Sequence, residues 1–171
     1  MGLEKRYVTI TTSVSSDGLG VPTISIYFSY CDKKNKTGYF CTMCQNKELQ
    51  DDGFGNEMSL SEIISVIENK IKKLFIMFDE IEIAFVGGEP LAEINRGYVY
   101  EIAKHFKKLG IKNIIYTWRT IEDLKIENID ISHFDRIVCG EYIDKLKDDS
   151  YILGSTNQYV INNKYEKIIR R

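Results

Sequence analysis

Along residues 59–75 the apolar positions Leu60, Ile63, Ile64, Ile67, Ile71, Leu74 and Phe75 recur at three- and four-residue steps. That spacing gathers them on one face of a helix. Ser59 and Glu62 have the form of a capping box, which predicts the helix start at Ser59. Tyr98, Val99, Ile102, Phe106 and Leu109 predict a second helix, closed by Gly110. Between the two, "IEIAFVGGEP" at 81–90 reads as a buried strand that stops at paired glycines. Upstream, "TISIYFSY" at 23–30 is rich in β-branched and aromatic residues and predicts a strand leading straight into Cys31. Downstream, "KNIIYTW" at 112–118 and "FDRIVCG" at 134–140 read as strands, with a short helical piece at 120–124 between them and a final strand at 159–162. Strand and helix alternate, which predicts an α/β fold with a mostly parallel sheet covered by helices. In such folds ligands gather beyond the carboxyl ends of the strands. Cys31, Gly87, Gly88 and Thr117 fall at those ends.

Length changes this picture little. At 171 residues the chain is read as a single domain over 1–171, long enough to bury about two-thirds of its unfolded surface. A net charge of −2 gives no global signal for nucleic acid or membrane. The N-terminal stretch mixes acidic and basic residues and lacks a signal peptide's apolar core, and no segment reaches the roughly 20 apolar residues that span a bilayer. A cytoplasmic, soluble protein is expected. In that reducing setting, closely spaced cysteines read as metal ligands or redox groups before disulfides.

Three of the four cysteines, Cys31, Cys41 and Cys44, crowd into the loop 31–44, which ends in Cys-x-x-Cys. Three thiolates can hold three irons of a cubane and leave the fourth open to a small molecule. They can equally bind zinc, with Cys139, His105 or His133 as fourth ligand. Ligand count leaves both open. A second all-cysteine cluster is not available, since only Cys139 remains, and its apolar strand marks it as a buried free thiol. "FVGGEPL" at 85–91 adds two glycines, a carboxylate and a proline where a strand yields to a helix, a turn in which backbone groups can approach a ligand closely.

With both motifs in view, the sequence resembles the radical S-adenosylmethionine enzymes. The resemblance rests on Cys31, Cys41 and Cys44 after the first strand and on Gly87-Gly88-Glu89-Pro90 after a later one. It implies an incomplete TIM-type β/α barrel, a [4Fe-4S] cluster on the three cysteines, and S-adenosyl-L-methionine on the open iron with Gly87, Gly88, Glu89 and Pro90 helping to bind it. Met43, Tyr39 or Phe40 is placed to pack on adenine, and Thr117 to touch the cofactor. "DGLGVPTISIYFSYC" at 17–31, "CQN" at 44–46, and "FDRIVCGEYI" followed by "LGSTNQYVI" are similar to segments of the activating proteins of anaerobic ribonucleotide reductases. That likeness implies an activase making a glycyl radical on an anaerobic ribonucleoside-triphosphate reductase, fed by an external one-electron donor of flavodoxin or ferredoxin type.

The chain departs from that pattern at three places. Nine residues separate Cys31 from Cys41 where three are usual, Val21-Pro22 replaces an arginine, and Trp118 stands where glycine is common. Extended first spacings occur in relatives of 7-carboxy-7-deazaguanine synthase, so a small-molecule radical enzyme is the alternative, and a zinc-stabilised binding module the non-enzyme one. Lys33, Lys34 and Lys36 read as a solvated basic loop, Asn157 and Gln158 as a recognition or packing element, and 162–171 as a frayed basic end.

Overall fold

The computed structural model describes residues 4–13, 19–147 and 153–168. Asp17 and Gly18 of the Asp-Gly-x-Gly segment lie outside them. Among the described residues seven strands form one open sheet: β1 (Arg6–Ser13), β2 (Thr23–Phe28), β3 (Asn56–Met58), β4 (Glu82–Gly87), β5 (Lys112–Thr117), β6 (Arg136–Cys139) and β7 (Tyr159–Ile161). Their order is β3-β1-β2-β4-β5-β6-β7. The four central strands β2, β4, β5 and β6 pair in parallel. Both edges are antiparallel: β1 pairs with β2 and β3, and β7 with β6.

The helices are α1 (Lys33–Thr37), α2 (Leu60–Leu74), α3 (Glu93–Lys108) and α4 (Ile121–Ile126). The capping box at Ser59 and Glu62 forms, and a second one, Thr120 with Asp123, opens α4. Gly110 ends α3 in the left-handed region at φ +78°. Helix α3 begins at Glu93, a full turn before the apolar spacing that predicts it.

Period-two alternation sorts the strand side chains onto two faces. Ile24, Ile26, Phe28, Ile83, Phe85, Ile115, Ile137 and Cys139 pack with Ile63, Ile67, Val99, Ile102, Phe106 and Leu124 of α2, α3 and α4 in one core. Ala84, Val86, Ile114, Val138 and Val160 turn to the other face, where Leu19, Leu153, Tyr27 and Tyr116 join them. Helices α2, α3 and α4 pack on the first of these faces, and none of their residues joins the second.

Four segments differ from expectation. β1 and β3 were not anticipated: "RYVTITTS" has only Val8 and Ile10 as aliphatic inward residues, and Asn56–Met58 is polar, so their pairing partners create them. α1 occupies the nine-residue interval that reads as a solvated loop, and Lys33 within it is buried. The terminal segment is tied rather than frayed through residue 168, since Tyr165 packs on the core and Lys167 bridges to Ile161.

Candidate metal centre

The chain leaving β2 is held by backbone groups on its way to Cys31. Tyr30 N–H donates to Leu49 O at 2.8 Å and Cys31 N–H to Gln50 O at 3.0 Å. The turn after β4 lies directly on this segment: Gly88 N–H donates to Phe28 O at 2.9 Å and Glu89 N–H to Tyr30 O at 2.8 Å. Such closeness explains the glycine pair. At Gly87, φ +115°, a Cβ would sit 2.5 Å from Phe28 O; at Gly88 it would overlap the carbonyl oxygens of Tyr30 and Leu49. No side chain fits at either place.

Asn95 of α3 fastens the junction from behind. Its amide donates to Ser29 O and Glu89 O, both at 3.0 Å, and its oxygen accepts from Arg6 Nε at 3.0 Å. Arg6 forks onto Asp52 at 2.8 and 3.2 Å, and Asp52 also accepts from Ser29 Oγ at 2.9 Å. A buried polar frame thus links β1, the end of β2, the β4 turn and α3.

On the helix-free face a cavity of about 240 Å³ opens. Tyr27, Val86 and Tyr116 of the sheet line it, together with Cys41, Cys44, Gly87, Gly88, Glu89, Thr117 and Trp118. Gln158 also reaches it, and its amide donates to Gly140 O at 2.9 Å, while Asn157 donates to Glu141 O at 2.9 Å. These two residues pin the segment before β7 onto the end of β6.

All four cysteines are free thiols. Burial pushes Cys31 up to about 12, and the charges of Glu89, Asp32 and Cys41 add to the rise. Cys41 is raised too, by burial and then by Cys44 and Glu141 against Lys33. The thiols are close enough to feel one another. Among the described residues, however, no group of three or more His, Cys, Asp or Glu side chains converges on a single metal-ion position. Of the three loop cysteines, Cys41 and Cys44 line the cavity and Cys31 does not; a cubane binds its thiolates at separate corners rather than at one point. Cys139 packs in the helix-side core, burial lifting it to about 12. His105 pairs with Glu68 at 3.0 Å and His133 with Asp130 at 3.5 Å. None of these three completes a four-ligand zinc site with the loop.

The remaining anticipated residues divide by their partners. Glu89 is 1% exposed and its carboxylate accepts from Leu91 N at 2.9 Å, Thr117 Oγ1 at 3.1 Å and Trp118 N at 3.1 Å. Burial raises it to about 7, against Arg119 and those amides and with Asp32 adding to the rise. Thr117 lines the cavity, yet its hydroxyl is engaged by Glu89 and by Arg119 N–H. Pro90 is buried just before α3. Met43, at φ +55°, is 58% exposed, and neither it nor Phe40 lines the cavity. Tyr39 stands 3.6 Å from Lys33 Nζ.

Arg119 is the functional candidate that sequence reasoning misses. It is fully buried and pairs with Asp32 at 2.6 Å, Glu127 at 3.0 Å and Glu89 at 3.3 Å. Burial opposes its charge, but Glu89, Asp32 and Glu127 outweigh that and hold the guanidinium above its ordinary value. In "TWRTIEDL" nothing distinguishes it from a solvated arginine, because Glu89 and Asp32 lie 30 and 87 positions away and Glu127 eight positions on, past α4. Lys33 is equally hidden: it reaches Glu141 at 2.8 Å beneath Tyr39.

A family model described as a 4Fe-4S single cluster domain matches residues 16–161. The chain belongs to that family, and a 4Fe-4S cluster domain is present. A search of the curated proteins found no match. No helix among the described residues is long and apolar enough to cross a membrane.

Proposed function

We propose that the protein is a radical S-adenosylmethionine enzyme, and specifically an activase that generates a glycyl radical on an anaerobic ribonucleotide reductase. The observation that carries this reading is the glycine-only contact of the Gly87-Gly88-Glu89-Pro90 turn with the segment entering Cys31, beside a cavity on the helix-free face. Cys31, Cys41 and Cys44 hold the cluster. When bound, the cluster supplies the electron that cleaves the sulfonium of S-adenosylmethionine and yields a 5′-deoxyadenosyl radical. The backbone of Gly87 and Gly88 receives the methionine amino group, and Glu89 keeps that turn rigid. Tyr27, Val86 and Tyr116 give the cavity a partly apolar floor that shields the reacting group from water. One-sided helices and an open sheet suit an incomplete barrel whose open face admits a protein loop.

A second reading, a small-molecule enzyme of the 7-carboxy-7-deazaguanine synthase kind, draws on a further cavity of about 280 Å³ that shares Trp118 and Gly140 with the first. The experiment is anaerobic reconstitution followed by reduction with S-adenosylmethionine. The expected protein is brown, carries about four irons per chain, releases 5′-deoxyadenosine, and loses all three properties in Cys31→Ala, Cys41→Ala or Cys44→Ala but not in Cys139→Ala. A glycyl electron-paramagnetic-resonance signal that requires added reductase supports the activase; turnover of a pterin without a protein partner replaces it with the second reading. A colourless product with no 5′-deoxyadenosine sinks both.

A further inference from the structure

The guanidinium of Arg119 has five N–H donors in a planar fork. Every one faces a carboxylate. Nε and Nη2 fork onto Glu127 at 3.0 and 3.0 Å, Nη2 and Nη1 fork onto Asp32 at 2.6 and 3.3 Å, and Nη1 lies 3.3 Å from Glu89. The three acids come from three separate segments. Asp32 directly follows Cys31, Glu89 belongs to the Gly-Gly-Glu-Pro turn, and Glu127 ends α4. Asp32 additionally accepts from Trp118 Nε1 at 3.1 Å, and Glu127 from Lys36 Nζ at 2.6 Å. The interval between Cys31 and Cys41 is thereby gripped at its buried start through Asp32, with the exposed Lys36–Glu127 pair a looser second hold.

We propose that Arg119 is a positioning residue of the metal centre, one buried guanidinium that locks the cysteine loop to the Gly-Gly-Glu-Pro turn and seats the long Cys31–Cys41 interval. A buried ion network contributes little net stability compared with an apolar replacement. The sheet ladders and the helix-side core already hold the rest of the fold. What the network adds is a fixed relation between two segments that share no strand. Without Arg119, Asp32 and Glu89 face each other across a buried space with no cation between them, and repulsion drives the loop off the turn. Lysine is an incomplete substitute, because a single ammonium cannot form two forks at once.

The proposal concerns the 4Fe-4S site and is independent of the activase reading, so its test uses no S-adenosylmethionine. Hydrogen–deuterium exchange of the full chain is measured for peptides spanning 29–44, 86–92 and 112–116, and iron retention is measured after reconstitution against a chelator. In Arg119→Met, exchange is expected to quicken at least about tenfold in both 29–44 and 86–92, with 112–116 unchanged, and iron loss to quicken with it. Arg119→Lys falls between that variant and the wild type. Adding Asp32→Asn to Arg119→Met restores part of the protection at 29–44, because the stranded carboxylate is gone. Faster exchange in all three peptides alike would make Arg119 a brace of the whole fold and overturn the proposal. Unchanged exchange and unchanged iron retention would overturn it as well. If Arg119→Met does not fold, Arg119→Lys and Asp32→Asn carry the same comparison, with protection lost at 29–44 and 86–92 expected and its retention overturning the idea.

Discussion

The cysteine loop and the Gly-Gly-Glu-Pro turn lie side by side at the ends of β2 and β4, but they are held by different means. The turn is enclosed: its amides donate to Phe28 O and Tyr30 O, its glutamate is buried under three hydrogen-bond donors, and Asn95 holds its carbonyl. The loop is enclosed only at its start. Asp32 and Lys33 are buried, whereas residues 34–39 and Thr42-Met43 are exposed and Gly38 has nothing within 4 Å of where a Cβ would be. A rigid turn and a half-anchored loop are a sensible division of labour. The turn offers backbone groups whose positions cannot vary, and the loop keeps enough freedom to bring its thiols around a cluster.

The sharpest way to break this contrast is to unpair the anchor. Arg119→Met is expected to lower the opening free energy of segments 29–44 and 86–92 by about 3–5 kcal/mol, since it leaves buried carboxylates without their cation, while 112–116 keeps its protection; hydrogen exchange of the apoprotein measures it. Gly88→Ala comes next, at about 2–4 kcal/mol, because the new methyl meets two backbone carbonyls that cannot rotate away. Denaturant unfolding, together with iron content, checks it, and wild-type values would show that the turn is less confined than its contacts indicate.

A smaller effect is expected from pH. Burial lifts Glu89 from 4.5 to about 7, so across that window the folded protein keeps a proton that the unfolded chain releases. This carboxyl therefore weakens the fold as pH rises from 4.5 to 7, and its cost is complete above 7. Glu89→Gln removes that slope. The difference in unfolding free energy between wild type and variant should drift by up to about 3 kcal/mol over this range, and a constant difference would contradict the assigned burial effect. The smallest effects belong to the open part of the loop. Gly38→Ala costs about 1 kcal/mol through its φ of +89° alone, and a polar replacement of exposed Met43 stays within about 0.5 kcal/mol. A large loss at Met43 would mean that the outer loop is as confined as the turn.

Much of the site was legible because its chemistry is written in residue types. Three cysteines beside a strand end and Gly-Gly-Glu-Pro beside another announce soft ligands and a close backbone approach, and the match over 16–161 confirms the iron-sulfur part of that expectation. Helices α2 and α3 were legible through periodicity, since burial of one face imposes it, and the central strands, buried on both faces, through their β-branched, aromatic and apolar runs. β1 and the edge strand β3 were not, because their largely polar residues carry little strand pattern and pairing with β2 and with one another makes them.

The amino-acid sequence by itself determined the α/β alternation, the thiol set and the glycine turn, all of which follow from local spacing and side-chain chemistry. The tertiary structure alone decided that the sheet stays open with antiparallel edges, that Lys33 leaves solvent, and that Arg119 joins Asp32, Glu89 and Glu127. Those outcomes depend on which distant segments the core brings into contact, and a charged residue carries no mark of its future partner until the chain has closed around it.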